Sequence, residues 1–345
     1  MRRGFIQVLK FLAFLIVGVF LLWLAFRKTN FNVLWSELRV ANYSWLFLSV
    51  FFGALAYLSR ARRWELLINP LGFRPTFLNT FYSLMVGYIA NLALPRIGEI
   101  TRCVALGKKE KIPVDQLIGT VVVERTIDFF SLMIILVALI FTSSDTIVNF
   151  LRESIFKPLQ EKIYLVFGVT WVLWAILLLI MIAGIIFLIR YKQNLRKFRF
   201  FAKVFDVLRG IVNGLKTITS LERKWEFIFH TLFIWLNYAL MTWVIVFALE
   251  STSHITFPQS IFLLVIGGLA MAAPVQGGLG VFHYTISRGL IIMGVPMEDG
   301  LVYALLTHES QLIFVAIIGA LSFFLLFRKD KEDEFDPINP LEGEK

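Results

Sequence analysis

Long apolar runs alternate with short charged segments along most of this chain, and the lengths of those runs predict its elements. Six of them, at about Phe5–Phe26, Tyr43–Ser59, Leu117–Phe141, Ile163–Ile189, Phe227–Leu249 and Leu301–Phe327, read as full spans. Each approaches or exceeds the roughly 18 residues that a helix needs to cross about 30 Å of hydrocarbon. Two further stretches are apolar but too short. Asn79–Leu94 is stopped by Pro95 and resumes at Ile100–Leu106. Ile261–Ala273 is broken by Pro274, Gly277, Gly278 and Gly280, then resumes at Val281–Met293. Paired half-length helices of this kind predict broken or re-entrant elements, which lipid tolerates only where the freed backbone lines a cavity or packs on protein.

The pattern predicts an all-α polytopic membrane protein of about six full spans plus two broken or re-entrant helical elements. Barrel strands would alternate apolar and polar positions, and these runs do not. A single transmembrane domain is expected over 1–330, with a charged tail over 331–345. The order span, broken element, span occurs twice, at about 43–141 and 225–327. The two copies are linked by the span at 163–189 and a basic segment at 190–224.

Composition agrees. The 345 residues are 58% hydrophobic and 17% charged, against the quarter or so expected of soluble domains. The amino-terminal run resembles a signal peptide but is too long and ends in Arg27 and Lys28, so it reads as an uncleaved first span. The lone Cys103 excludes an intramolecular disulfide and reads as a small membrane-buried residue.

The formal charge of +10 gathers at the ends of apolar runs, which the positive-inside rule and anionic headgroups explain without nucleic acid. The basic segments 60–74, 96–111, 190–224 and 328–331 then lie inside, and both termini are cytoplasmic. On this reading the broken elements enter from opposite faces, an inverted repeat of the kind secondary transporters use. The phenylalanines among the charges of 190–224 also fit a helix lying on the membrane surface.

Charges at membrane depth mark candidate chemistry, because burying them in lipid is costly. The first broken element carries Arg96, Glu99 and Arg102, three residues apart and so on neighbouring faces if helical. The next span carries Glu124 and Asp128 on one face, with Arg125 beside them. Arginines here would meet an anionic headgroup, phosphate above all, while the carboxylates would engage a cationic or hydroxyl group, or carry protons. The bland alternative is that these charges only pair with one another. In the second element, Pro274, Gln276, Gly277, Gly278 and Gly280 form a flexible break, followed by His283 and, in the last span, His308 and Glu309. These last three would suit a proton relay or ordinary packing. Arg60, Arg62 and Arg63 read as interface anchors of the second span, with headgroup gathering as the sharper alternative.

Zinc-protease, nucleophile-elbow and phosphate-loop motifs are missing, and so is the Asp-x-Asp of sugar-nucleotide sites. No metal or cofactor is expected from the sequence, and enzyme activity is the less favoured reading.

Four motifs carry a resemblance: R-A-R-R-W at 60–64, N-L-A-L-P-R-I-G-E-I-T-R at 91–102, E-R-T-I-D at 124–128 and A-P-V-Q-G-G-L-G-V-F at 273–282. In them the chain resembles the membrane region of lysylphosphatidylglycerol synthases, a flippase-like family, over nearly its whole length. The resemblance implies movement of an aminoacylated or otherwise modified phospholipid between leaflets of the cytoplasmic membrane. It singles out Arg63, Asn91, Pro95, Arg96, Gly98, Glu99, Arg102, Glu124, Arg125 and Asp128, then Pro274, Gly277, Gly278 and Gly280. The chain departs from the family pattern at His283, where an acidic residue is frequent. It also has no aminoacyl-transferase domain after the last span, so synthesis of the modified lipid is not expected.

Three readings follow. The first is a translocator of phospholipids or modified, lipid-linked headgroups, with membrane lipids as its partners. The second is an intramembrane transferase or hydrolase acting on a lipid-linked substrate. The third is a non-transporting membrane protein that positions a lipid-modifying enzyme.

Overall fold

The computed structural model describes residues 31–94, 96–142, 221–273 and 275–328, with the isolated positions Arg152, Lys157 and Glu161. The expected spans at 5–26 and 163–189, most of the basic segment 190–224, the tail 331–345, and Pro95 and Pro274 lie outside the described residues.

Nine α-helices make up the described chain: α1 (Phe31–Val40), α2 (Tyr43–Ile68), α3 (Phe77–Ala93), α4 (Gly98–Glu110), α5 (Val114–Thr142), α6 (Lys224–Val244), α7 (Phe257–Met271), α8 (Val281–Ile291) and α9 (Met297–Phe327). They form an all-helical polytopic membrane protein. Three are long and apolar enough to cross a membrane: α2 carried on to Leu71, α6 carried on to Ala248, and α9. Helix α5 has the length, at 29 residues, but holds Asp115, Glu124, Arg125 and Asp128 in its first half. Large apolar side chains such as Phe47, Phe129, Ile134, Leu232, Ile317 and Phe324 stand more than half exposed on the outer surface. A lipid-facing belt accounts for them.

Two sequence expectations change. The segment 27–42, left between the first two expected spans, contains helix α1. Helix α2 does not end at Ser59 but continues to Ile68, and so draws Arg60 and Arg63 into the interior. Its start is fixed by Asn42, whose side chain accepts from the Ser44 amide at 3.1 Å. It stops where Pro70 and the left-handed Gly72 follow.

Both broken elements are helical hairpins. Leu94, ahead of Pro95, is extended (φ −140°, ψ 124°), as the proline ring requires, and this ends α3. The base of this first hairpin is tied by Glu110. Its Oε1 accepts from the Thr76 amide and hydroxyl at 3.0 Å each and from Asn79 at 2.7 Å. Between the arms, α3 and α4 pack backbone to backbone. A Cβ on Gly98 would collide with the Gly87 carbonyl and with Asn91, so only glycine fits there. The second hairpin, α7 and α8, has its base tied by His254 Nε2 against the Met293 carbonyl, 3.1 Å apart.

Helix α2 packs along α6, and α9 lies against α3 and α8. Exchanging α2 with α6, α3 with α7, α4 with α8 and α5 with α9 maps several packed pairs onto one another. Pair α2–α3 becomes α6–α7, α4–α5 becomes α8–α9, and α3–α9 becomes α7–α5.

Candidate functional site

Tyr43 to Ile68 is one continuous helix, so Arg60 and Arg63 sit one turn apart on the same face, opposite α5. On α5, Glu124 and Asp128 are likewise one turn apart. The two faces interlock. Arg60 Nη2 reaches Glu124 Oε1 at 2.7 Å and Asp128 Oδ2 at 2.9 Å, while its Nη1 donates to the Tyr238 hydroxyl of α6 at 2.9 Å. Arg63 Nη2 meets Asp128 Oδ1 at 2.6 Å. From α4, Arg102 Nη1 meets Glu124 Oε2 at 3.0 Å, and its guanidinium lies 4.6 Å above the ring of Trp64. Arg125 closes the group on Glu124 and, at 3.2 Å, on Asp128.

The core of this cluster is buried, with Arg63 and Glu124 fully enclosed and Arg102 at 3% exposure, while the Arg125 side chain at its mouth is 41% exposed. It is also unbalanced. Four guanidinium groups (Arg60, Arg63, Arg102, Arg125) face two carboxylates, a formal excess of two positive charges. Arg60 Nε, Arg63 Nε and Nη1, and Arg102 Nη2 are buried donors with no hydrogen-bond acceptor among the described residues. A buried guanidinium that lacks an acceptor is energetically expensive. Such a group is set up to receive an anion, and a phosphate offers several acceptor oxygens in the geometry a guanidinium fork matches.

Two spaces adjoin it on the side of α4 and α5. A cavity of about 560 Å³ opens between α4 and α5, walled by Ile100, Val121, Val122, Phe129 and Phe130, with Glu99 and Arg125 as its charged residues. A cleft of about 20 Å³ continues inward past Tyr88 and Asn91 to Arg102 and is bordered by the same Glu99 and Arg125. Glu99 and Arg125 thus stand where an apolar groove meets the cationic interior. Glu99 Oε2 is buried there with no partner among the described residues.

The two hairpins meet at their tips. Arg96, in the turn between α3 and α4, takes a left-handed backbone (φ 63°) and sends its Nη2 to the Ala272 carbonyl, 2.5 Å away, at the end of α7. Gly277, in the turn between α7 and α8, also has a positive φ (55°) and lies beside Leu92 of α3.

The sequence-based site residues therefore divide into separate groups. Arg63, Arg102, Glu124, Arg125 and Asp128 form the buried cluster, and Glu99 joins its mouth. Arg96 is not on a helical face with Glu99 and Arg102; it links the tips instead. Asn91 works structurally, accepting from the Gly98 amide at 2.7 Å and so capping the start of α4. His283 and Glu309 form a distinct group with His308, beside Gly277 and Gly278. Gly280 takes a positive φ just before α8. The side chain of Gln276 and the residues Pro95 and Pro274 lie outside the described residues. Sequence reading missed Tyr238, and it gave Arg60 only as an interface anchor or headgroup gatherer, not as a partner of Glu124 and Asp128. Arg60 had a signal: it lies three residues before Arg63 in an apolar helix, about one turn away, as Glu124 and Asp128 are about one turn apart on α5.

The family model described as the lysylphosphatidylglycerol synthase transmembrane region matches residues 10–319. The chain is 24% identical over 294 residues to the UPF0104 membrane protein MJ1595 of Methanocaldococcus jannaschii, covering 77% of this chain and 80% of that protein. No solved structure matches.

Proposed function

We propose that this chain, which belongs to the lysylphosphatidylglycerol synthase transmembrane-region family, moves a phosphate-bearing membrane lipid from one leaflet to the other. The observation that carries the reading is the largely buried cluster with two more arginines than carboxylates, Arg125 standing at its exposed mouth beside the groove that it and Glu99 border. Acyl chains lie in the apolar groove while the phosphate exchanges into the arginine cluster. Glu99, with a carboxylate oxygen to spare, takes an ammonium or hydroxyl group on the same headgroup. The tip-to-tip hairpins support an alternating arrangement, since two hairpins that share one contact can open on either side of it. In this reading the protein sits in the cytoplasmic membrane with both termini inside, and the two hairpins enter from opposite faces.

The test is lipid movement in proteoliposomes made from host lipids. Fluorescent phospholipids of anionic, zwitterionic and aminoacylated headgroup are placed in both leaflets, and the outer label is quenched chemically. Protein-dependent loss of protection for at least one headgroup class is expected, abolished by Arg102→Gln and headgroup-shifted by Glu99→Gln. Purified, folded protein that moves none of the three classes, or moves all of them equally with Arg102→Gln in place, overturns the proposal.

A further inference from the structure

Three ligating side chains converge where the second hairpin turns into α8. The sequence spacing hides them, because His283 starts α8 whereas His308 and Glu309 lie midway along α9. His308 Nε2 stands 2.6 Å from the Gly277 carbonyl oxygen. A carbonyl only accepts, so Nε2 carries a proton and donates, and in the neutral ring Nδ1 keeps its lone pair. That lone pair faces Glu309 Oε1 at 3.1 Å. His283 Nε2 approaches the same oxygen at 3.4 Å. One ligand atom from each residue falls within 4.8 Å of the others.

We propose that His283, His308 and Glu309 bind a divalent first-row transition metal, zinc being the ion that fits best. In the neutral ring, an acceptor nitrogen and a carboxylate oxygen at 3.1 Å repel, and an ion between them relieves that. Without an ion, a proton on His308 Nδ1 and the Nε2–H of His283 could both donate to that oxygen; the ion and this hydrogen-bonded triad are the two arrangements the titration separates. Zinc bonds of about 2.0–2.1 Å in tetrahedral geometry set ligand atoms roughly 3.3 Å apart, close to both separations seen here. Two imidazoles and one carboxylate suit zinc or ferrous iron rather than calcium or magnesium. The Gly277 carbonyl plays the part of the outer partner that fixes the tautomer of a metal-binding histidine. His283 and His308 are buried, while the Glu309 side chain is 39% exposed, which leaves one side of the ion open to a further ligand. The ion would clasp α8 to α9 and, through His308, hold the Gly277 turn in its bent form. This proposal is independent of lipid movement.

The experiment is a Co²⁺ titration of the full chain in detergent, carrying an affinity tag without histidine and first stripped with chelator. One equivalent should bind with the ligand-field absorption of four-coordinate Co²⁺, and Zn²⁺ should displace it. Glu309→Gln and His283→Ala should each weaken binding at least about tenfold, while His230→Ala, which alters a histidine on α6, leaves it unchanged. Thermal unfolding of the metal-free proteins checks that the variants fold; if they do not, the wild-type titration decides alone. Absence of a stoichiometric Co²⁺ spectrum in the wild type, or equal affinity in folded Glu309→Gln, overturns the assignment.

Discussion

Arg96 and Ala272 are 176 positions apart, yet the guanidinium of the first donates to the carbonyl of the second at 2.5 Å. This bond joins the tips of two hairpins whose bases are separately tied, by Glu110 on Thr76 and Asn79 and by His254 on Met293. Breaking the α7 helix frees the Ala272 carbonyl from its helical partner, and the left-handed backbone at Arg96 aims the side chain at it. The contact is partly solvated, so it holds the tips together without locking them.

Arg96→Ala should therefore affect function more than folding. A hydrogen bond from an exposed charged donor contributes about 1 kcal/mol. Thermal unfolding should shift by a few degrees at most, whereas lipid movement in proteoliposomes should fall by an order of magnitude. A collapse of thermal stability with transport retained would contradict this role.

Within the buried cluster, removing a carboxylate should cost more than removing an arginine. Glu124 meets Arg60, Arg102 and Arg125 directly, with Arg63 at 3.7 Å, so Glu124→Gln raises the buried positive excess. The expected loss is about 3–5 kcal/mol, the range for stripping one partner from a buried pair. Arg102→Gln lowers the excess and should cost about half as much or less. Denaturant unfolding of the two variants in the same detergent measures the order.

The groove between α4 and α5 should be blockable from its lipid side. Val122 is 37% exposed and lines the cavity of about 560 Å³. Val122→Trp places bulk into that space without touching the arginine cluster. Stability should change by less than about 0.5–1 kcal/mol, as for a surface substitution, while lipid movement is slowed severalfold. Equal transport rates would show that acyl chains take another route.

On the rim outside the spans, Glu37 of α1 has a carboxyl raised above its ordinary value, by burial first and then by the negative charges of Asp299 and Glu250. A carboxyl raised in the folded protein binds its proton more tightly there than in the unfolded chain. Its favourable contribution is then full below the ordinary glutamate value and is lost as the pH rises through the raised value. Glu37→Gln should flatten that fall in a pH series of melting curves, and a parallel slope in the variant would count against it.

Most of the secondary structure was legible. Proline and glycine placed both hairpin turns, because a residue before proline is pushed to extended backbone and because Gly277, Gly278 and Gly280 supply positive φ. Hydropathy placed α5, α6 and α9 to within a few residues. The end of α2 was misplaced for a physical reason. A run of arginines normally signals the membrane interface, but here Arg60 and Arg63 find carboxylates on α5 and Arg62 finds Glu226 on α6, so the helix continues.

By itself the sequence determined the membrane class, the helical hairpins and the residue types at depth, since period, run length and backbone-breaking residues act locally. Only the tertiary structure decided which charges meet. Arg102 turns to Glu124 rather than Glu99, Arg60 joins from a different helix, and His283 reaches Glu309 across two helices. Pairing energies depend on distance and on the loss of solvent, and both are set by how separate helices pack. The charge excess that defines the candidate site is a property of that packing.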